Sequence, residues 1–412
     1  MKIFKFGGAS VKDAEGVKNV SMVLQSQGFE KCLLVISAMG KTTNELEKVV
    51  EFYFKKEDYQ TEIEKIKQKH IEIAKGLFDD NHLVFEEINL FFDDIVSFLR
   101  RNKSPNYNFV YDQVVSCGEM ISTKIVSEYL NDNQFSNQWL DARDFIKTDD
   151  SYRDGVVNWD KTKEYITTLN PSVCYVTQGF IGSDNNNFTV TLGREGSDYS
   201  GAIFAYCLNA DAMTIWKDVP GVMTGDPRKF ADVTLLSNIS YEEAIEMAYY
   251  GASVIHPKTL QPLQKKNIPF YVKSFLDPTK EGTKVGDSDK NQSEESYILK
   301  ENQTLLKIST RDFSFIAEDH MSLVFGYLSK YKIKVSLMQN SAISLALCLE
   351  DNFGNIDHLN EELQKVFKTD VVKNVSLFTV RNANIENIDK FYQGKNVLLE
   401  QIAKNTFQMV TQ

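Results

Sequence analysis

A lysine and two glycines stand close together near the start of the chain, in the segment KFGGAS. Lys5 ends a short apolar run that predicts a strand, and the small or hydroxyl residues after it are Gly7, Gly8 and Ser10. Glycines let backbone N–H groups approach an anion, and a lysine adds a charge that can follow charge moving between phosphates. The segment predicts a phosphate-binding loop, although a tight turn with a surface lysine has the same residue types.

A second loop of this kind follows the next predicted strand, in the segment SAMGKTTN. Its end resembles a Walker A loop, but that motif needs a glycine at position 35, where the chain has Val35. What remains is a hydroxyl-rich loop at a helix N-terminus, with Ser37 and Thr43 suited to an anionic ligand. An ordinary helix cap explains Thr42 or Asn44 equally well.

An arginine between two glycines predicts a site for a carboxylate. In TLGREGSD, Arg194 lies at a strand-to-helix junction and is followed by Ser197 and Asp198. Arginine binds a carboxylate through two parallel hydrogen bonds, and the helix start adds N–H donors. The alternative is a structural Arg–Asp pair that caps the helix. In SCGE, Glu119 is predicted at a helix start, where an acidic side chain often only complements the helix dipole.

Two later loops carry further charged residues. The segment WKDVPGVMTGDPR follows a predicted strand and holds two aspartates and two cationic side chains, among them Lys217, Asp218 and Arg228. Long loops at strand ends often bind ligands, but a structural double turn gives the same pattern. In GASVIHPK, the apolar neighbours of His256 favour a packed histidine over a general base.

Alternating strands and helices must position these loops. The predicted strands cover 3–6, 33–37, 173–177, 188–192 and 213–216. Their alternation with helical patterns predicts an α/β layer with a mostly parallel sheet. From about 45 to 104, apolar residues recur at helical spacing with no proline, which predicts a helical subdomain.

The composition changes near residue 280. The last proline is Pro278, and the stretch 277–295 is polar, which predicts a linker over 281–300. After it, the order strand, helix, strand, strand, helix, strand is ferredoxin-like, and a helix around 385–403 and a strand at 406–410 follow. We therefore predict an α/β domain over 1–280 and an α+β region over 301–412 with one complete module and a partial second.

The overall composition favours a small-molecule ligand. The 412 residues include 46 Lys and Arg against 57 Asp and Glu, a net charge of −11 without a basic block. This balance argues against nucleic acid or an anionic membrane as the main partner. Five widely spaced cysteines indicate neither a disulfide framework nor a zinc site. Because no apolar run approaches a signal or membrane span, we expect a cytoplasmic protein.

In this order and spacing, the segments resemble those of the aspartate kinases of the amino-acid kinase superfamily. The matching segments between Lys5 and Lys258 are KFGGAS, VISAMGKTTN, SCGE, TQGFIG, TLGREGSD, IWKDVPGVMTGDPR and GASVIHPK. The resemblance implies a three-layer α/β/α amino-acid kinase domain followed by a ferredoxin-like ACT region. It also implies Mg2+-dependent phosphoryl transfer from ATP to the side-chain carboxylate of L-aspartate. The product, 4-phospho-L-aspartate, leads to lysine, threonine, methionine and diaminopimelate.

The resemblance also implies roles for individual residues. It places Lys5 and Asp198 at the catalytic centre. The residues it places around aspartate are Ser37, Thr43, Glu119, Phe180, Arg194 and Ser197. Among these, Arg194 would bind the α-carboxylate and Glu119 the α-ammonium group. The residues it places around ATP are Lys5, Gly7, Gly8, Ser10, Lys217, Asp218, Met223, Arg228, Ser253 and Val254. It implies no metal ligand from the protein.

Some features depart from the family's usual pattern. Glu195, Lys217 and Ser253 replace residues that are common in the family. The segment 335–342 lacks the Asp and Glu that often bind a lysine effector, which argues against inhibition by lysine. Threonine, another amino-acid effector or no effector stays open. We expect a homodimer through the ACT strands and helices, and no fused homoserine dehydrogenase domain, because few residues follow. The alternative functions are a kinase for another small carboxylate and an amino-acid-sensing protein with a decayed kinase site.

Overall fold

The computed structural model describes residues 1–252, 255–286, 294–392 and 394–412. These residues form two compact units. The first unit comprises 1–222, 235–245 and 255–286. The second comprises 223–234, 246–252, 294–392 and 394–412. The chain thus enters the second unit twice before the predicted boundary at residue 280.

The first unit is organised by a mostly parallel sheet. The strands of this unit are β1 (Lys2–Phe6), β2 (Cys32–Ile36), β3 (Gln138–Leu140), β4 (Tyr175–Gln178), β5 (Ile181–Ser183), β6 (Thr189–Thr191), β7 (Ala212–Lys217), β8 (Asn238–Ser240), β9 (Phe270–Ser274) and β10 (Thr283–Gly286). The order across the sheet is β3-β4-β2-β1-β7-β9-β10-β8. Within it β9 and β10 are antiparallel, and the other neighbours are parallel. The strands β5 and β6 form a separate antiparallel pair.

Helices cover this sheet. They are α1 (Ala14–Gln27), α2 (Thr42–Lys55), α3 (Tyr59–Lys75), α4 (Val84–Arg101), α5 (Tyr107–Asp132), α6 (Ala142–Phe145), α7 (Trp159–Ile166), α8 (Gly196–Leu208), α9 (Tyr241–Tyr250), which is divided between the units, and α10 (Pro257–Lys265). Every residue of β2 is buried, as expected for a central parallel strand with helices on both faces. The mostly parallel sheet between helices confirms the predicted α/β class.

The region 45–104, predicted to be helical, contains α2, α3 and α4. One expectation nearby is wrong: Glu119 does not lie at a helix start but in the middle of α5. Gly118 explains the difference, because a Cβ there would lie 3.0 Å from Thr42 Cγ2 and 3.2 Å from Leu46 Cδ1. The glycine therefore allows α5 to pack closely against α2 and does not mark a helix end.

The second unit contains a six-stranded antiparallel sheet among its described residues. Its elements are β11 (Ser296–Ser309), α11 (Glu318–Lys330), β12 (Lys334–Asn340), β13 (Ser344–Glu350), α12 (Ile356–Gln364), β14 (Lys368–Arg381), β15 (Val397–Ala403) and β16 (Thr406–Thr411). The order across the sheet is β12-β13-β11-β14-β16-β15. From β11 to β14 the sequence of elements is the predicted ferredoxin-like order. The predicted linker 281–300 holds β10 and the start of β11, and 287–293 lie outside the described residues.

The helix predicted around 385–403 is wrong for its second half. A 3-10 helix covers Ile385–Phe391, but β15 is a strand that pairs antiparallel with β16 around a turn at Lys404 and Asn405. Lys404 has a φ of 53°, the left-handed conformation that tight hairpins use. Pairing with β16 therefore overrides the helical pattern of the sequence. The described residues include no helix with the length and apolar character needed to span a membrane.

Candidate active site

A cavity of about 420 Å³ lies in the first unit, at the ends of β1, β2 and β6 and beside the N-terminus of α8. The residues lining it that the sequence singled out are Lys5, Gly8, Ser37, Thr43, Glu119, Phe180, Arg194, Glu195, Ser197 and Asp198. The others are Ala38, Gly40, Tyr111, Arg153, Thr191, Gly193 and Gly196. Carboxyl ends of parallel strands meet at one sheet edge, so residues distant in sequence converge there.

Two lysines flank a buried carboxylate at this cavity. Asp198 is 1% exposed. Its Oδ1 lies 2.6 Å from Lys5 Nζ, and its Oδ2 lies 3.4 Å from Lys217 Nζ. Burial alone would raise the pKa of Asp198, but attraction to Lys5 and Lys217 outweighs it and holds the pKa below its usual value. Asp198 is therefore ionised at neutral pH and fixes the positions of two ammonium groups.

The positions of Lys5, Asp198 and Lys217, which form a charge cluster, are set by neighbouring strands and a helix. The pairing of β1 with β7 sets Lys5 opposite Ile215 and Phe6 opposite Trp216, so both lysines leave the sheet near the same edge. Asp198 lies in the first turn of α8, where an acidic side chain complements the helix dipole. Lys217 is the last residue of β7. The charge cluster thus depends on the register of two central strands and on the start of one helix.

A close backbone contact joins the loops that follow β1 and β2. A Cβ at Gly8 would lie 2.6 Å from the carbonyl oxygen of Ala38, which a side chain could not tolerate. The N–H of Gly40 donates a hydrogen bond of 3.0 Å to the carbonyl oxygen of Gly8. Gly40 has a φ of 59°, a conformation that favours glycine. The two predicted anion-binding loops therefore form one continuous wall of the cavity.

The N-terminus of α8 is held against the loop after β4. Phe180 has a φ of 72°, and its N–H donates a 2.9 Å hydrogen bond to Ser200 Oγ. A Cβ at Gly179 would lie 2.6 Å from Ser197 Cβ. Phe180 and Ser197 therefore both line the cavity, while Arg194 lies exposed at its rim.

Glu119 is a buried acid with an unsatisfied oxygen. The residue is 3% exposed, and its Oε2 has no hydrogen-bond partner among the described residues. Burial raises the pKa of Glu119 to about 8, against smaller opposing effects of a hydrogen bond from the Ala38 backbone and the charge of Lys5. Burying an ionised carboxylate with an unpaired oxygen costs free energy unless a cation binds to it. The cavity thus contains a site suited to an ammonium group.

Sequence reasoning missed a second arginine of the cavity. Arg153 lies in a turn with a φ of 72°, and its backbone N–H donates a 3.0 Å hydrogen bond to Asp112 Oδ2. The same buried carboxylate accepts bonds from the N–H and the hydroxyl of Thr191, at 2.9 Å and 2.8 Å. Burial raises the pKa of Asp112 to about 6. An arginine just before Asp-Gly in a polar turn is the sequence signal that was available.

Of the residues predicted to bind ATP, Lys5 and Gly8 line the cavity, and the others fall into four pairs. Gly7 directly precedes Gly8 in the chain, and Ser10 is buried with its Oγ 3.5 Å from the carbonyl oxygen of Trp216. Neither Gly7 nor Ser10 lines the cavity. Lys217 reaches Asp198, and Asp218 follows it in an exposed position. Met223 and Arg228 belong to the second unit, and Arg228 Nη2 lies 2.7 Å from Asp226 Oδ2. Ser253 and Val254 lie outside the described residues.

The acidic residues of the cavity do not form a ready set of Mg2+ ligands. The oxygens of Asp198 face two ammonium groups, and Glu119 has a raised pKa. In the described part of the chain, no three His, Cys, Asp or Glu side chains cluster closely enough to hold a metal ion. Mg2+ commonly binds through substrate phosphates with few protein ligands. Any such ion would therefore depend mainly on the nucleotide for its ligands.

Comparison with known proteins identifies the family. The model of the amino acid kinase family matches residues 1–274. The chain is 33% identical to lysine-sensitive aspartokinase 3 of Escherichia coli, over 84% of this chain and 78% of that protein. It is 27% identical to a bifunctional aspartokinase/homoserine dehydrogenase of Buchnera aphidicola, over 93% of this chain but only 50% of that protein.

A solved structure extends the likeness to both units. E. coli aspartokinase III in complex with aspartate and ADP matches 100% of this chain and 96% of that one, with a TM-score of 0.83 and 28% sequence identity. The match supports the predicted kinase architecture and the ACT-like C-terminal region together. The chain therefore belongs to the amino acid kinase family, and within that family to the aspartokinases.

Proposed function

We propose that this chain transfers the γ-phosphoryl group of ATP to the side-chain carboxylate of L-aspartate, giving 4-phospho-L-aspartate. The observation that carries the proposal is the buried carboxyl group of Glu119, whose Oε2 has no hydrogen-bond partner among the described residues, in the same cavity as the Lys5–Asp198 ion pair and Arg194. The E. coli relative solved with aspartate and ADP supports the same pair of ligands. An ammonium group, a carboxylate and a phosphate would each find a complementary partner.

The acceptor would bind through both of its α-substituents. Glu119 would take the α-ammonium group, because its free oxygen lacks a partner, and Arg194 would take the α-carboxylate through parallel hydrogen bonds. The remaining residues that we propose to contact aspartate are Ser37, Thr43, Phe180 and Ser197. Held in this way, the side-chain carboxylate would point toward Lys5 and the nucleotide.

The reaction needs no general base. A carboxylate acceptor with a pKa near 3.9 is already ionised at neutral pH. Catalysis of phosphoryl transfer depends on alignment and on stabilising the charge of the transferring group. Lys5 would supply that charge, and Asp198 would hold Lys5 in position through their 2.6 Å contact. A second lysine, Lys217, would add charge at the same place.

The nucleotide would bind at the loops on the side of Lys5. The residues that we propose for it are Gly7, Gly8, Ser10, Lys217, Asp218, Met223, Arg228, Ser253 and Val254. Mg2+ would enter on the phosphates of ATP and offset their charge. Gly8 lines the cavity together with Lys5, so a phosphate bound there would lie close to the lysine charge.

The wider setting follows from the same proposal. The product would feed the synthesis of lysine, threonine, methionine and diaminopimelate, in the cytoplasm. A homodimer through the second unit is part of the proposal. Regulation by an amino acid is also part of it, and the E. coli relative that is named as lysine-sensitive supports this part.

A hydroxamate assay tests the function directly. With ATP, Mg2+ and L-aspartate, the purified chain should form aspartyl phosphate that hydroxylamine traps, whereas L-glutamate should give no product. Asp198→Asn should lower kcat by roughly 100-fold, because Lys5 loses its partner and its orientation. Product with L-glutamate but not with L-aspartate would mean that the acceptor is glutamate and not aspartate. ATP binding without any product would instead favour an amino-acid-sensing protein.

A further inference from the structure

The cavity contains a second guanidinium group, that of Arg153, which has no role in the proposed function above. Arg153 lines the cavity together with Arg194. The turn that carries it packs directly on the residue before Arg194, because a Cβ at Gly193 would lie 2.7 Å from Asp154 Oδ1 and 3.2 Å from the carbonyl oxygen of Arg153. The N–H of Gly155 also donates a 2.9 Å hydrogen bond to the carbonyl oxygen of Thr191. Two arginines thus enter one cavity from adjoining backbone segments.

The fold holds Arg153 in a fixed orientation. Its backbone adopts a φ of 72°, which is unfavourable for a large side chain and which the hydrogen bond to buried Asp112 maintains. The guanidinium carbon lies 4.1 Å from the centre of the Tyr111 ring, and Nη2 lies 3.0 Å from Glu47 Oε1. Strained backbone of this kind persists where surrounding contacts enforce it, often at ligand sites.

The orientation leaves donors for a ligand. A guanidinium group carries five N–H donors in one plane, and the ion pair with Glu47 engages only one of its terminal nitrogens. The side chain of Arg153 is 40% exposed, so it is accessible from the cavity. The cation–π contact with Tyr111 restricts the position of the group before a ligand arrives. The remaining edge suits a carboxylate, which binds arginine through two parallel hydrogen bonds.

We propose that Arg153 is a second ligand of the acceptor's α-carboxylate and acts together with Arg194. The inference rests on the proposed function, because it needs an acceptor with an α-carboxylate. Glu119 accounts for the ammonium group and Lys5 for the phosphoryl side, so the α-carboxylate is the remaining charge of the acceptor. Two guanidinium groups would favour α-amino acids with a free carboxylate over their α-amides. Arg153 thus contributes to the selection of acceptors that have a free α-carboxylate.

A cycle of substrate and residue changes tests this role. The Michaelis constants for L-aspartate, for its α-amide (L-isoasparagine) and for ATP are measured in the unchanged chain, Arg153→Gln, Arg153→Lys and Arg101→Gln. Arg153→Gln should raise the KM for L-aspartate by about tenfold or more and leave that for ATP within about twofold. Its effect on the α-amide should be much smaller, because the amide lacks the charge that Arg153 binds. Arg153→Lys should have a KM for L-aspartate between those of the unchanged chain and Arg153→Gln, since lysine keeps the charge but not the planar guanidinium group.

Arg101→Gln is the matched control. Arg101 is exposed at the end of α4 and does not line the cavity, so its loss changes the net charge alone. If Arg153→Gln raises the KM for aspartate and its α-amide by the same factor, or changes neither, Arg153 is structural and the inference fails. If the unchanged chain makes no aspartyl phosphate, the proposed function fails first. Thermal melting shows whether Arg153→Gln is folded. If it is not, the KM values of Arg153→Lys for L-aspartate and its α-amide decide between a binding and a structural role.

Discussion

Glu119 shows at the scale of one residue how a binding site differs from a folded core. A buried carboxyl group normally has a cation or several hydrogen-bond donors, because leaving it unpaired is unfavourable. Here Oε2 has no partner among the described residues, and burial raises the pKa to about 8. In the proposed complex, the ammonium group of aspartate supplies the missing charge. The ligand would therefore stabilise the ionised form of Glu119, which burial disfavours.

The raised pKa predicts how stability depends on pH. Between the ordinary value of 4.5 and about 8, the folded chain binds a proton at Glu119 that the unfolded chain has released. Stability must therefore fall as the pH rises through this window, by linkage. Glu119→Gln removes this contribution, so its melting temperature should decline less than that of the unchanged chain between about pH 5 and pH 8. Ligand-free thermal melts at several pH values measure both slopes. Identical slopes would show that Glu119 is ionised in the folded chain.

Sequence reasoning found some residues of the cavity and could not find others. Lys5, Arg194 and Asp198 lie in glycine-rich segments whose residue types already indicate anion binding. Arg153 lies in an ordinary polar turn, and it reaches the cavity only because Asp112 holds its backbone and Gly193 allows close packing. These are contacts between distant segments, which a single sequence does not reveal. The burial of Glu119 in the middle of α5 was hidden for the same reason.

At the scale of elements, the start of α8 determines the shape of the cavity. Its first turn contributes Ser197 and Asp198, and the loop after β4 packs on it without room for a side chain at Gly179. A Cβ there would lie 2.6 Å from Ser197 Cβ and 2.8 Å from Ser197 Cα, so the helix start or the loop must move. Movement of the helix start would also displace Asp198 from Lys5.

Gly179→Ala should therefore lower both stability and activity. We expect a loss of about 1–3 kcal/mol in the free energy of unfolding, the usual effect of overpacking, together with a lower kcat. Gly326→Ala is the matched control, because a Cβ at this position in α11 meets no atom within 4 Å. Alanine favours helices over glycine, so the control should gain up to about 1 kcal/mol. Denaturant titrations measure both changes. Equal stabilities for the two variants would mean that the loop after β4 adapts freely.

The elements themselves were predicted unevenly. Strands β1, β2, β4 and β7 are apolar runs that end in glycine-rich or charged loops, so pattern alone located them within a residue or two. The start of α5 was misplaced because Gly118 looks like a helix boundary, whereas it serves close packing with α2. The strand β15 was predicted as helix, since its pairing with β16 depends on a turn that the local pattern does not reveal.

At the scale of the whole molecule, the second unit bears on regulation. Its first six elements have the ferredoxin-like order, and β15 and β16 extend the same sheet beyond β14. The segment 335–342, which includes most of β12, has the sequence VSLMQNSA and contains no acidic residue. A lysine effector carries two ammonium groups, and strong binding of each calls for a carboxylate or several oxygen acceptors.

Lysine should therefore not inhibit this chain, in contrast to its lysine-sensitive E. coli relative. The hydroxamate assay at a fixed aspartate concentration near KM, with increasing L-lysine, should give a constant rate. Aspartokinase 3 of E. coli in the same buffer is the positive control. D-lysine controls for the ionic attraction of any cation to a chain with a net charge of −11. A saturable fall in rate with L-lysine and not with D-lysine would contradict the prediction. It would also require a lysine site built from residues other than 335–342.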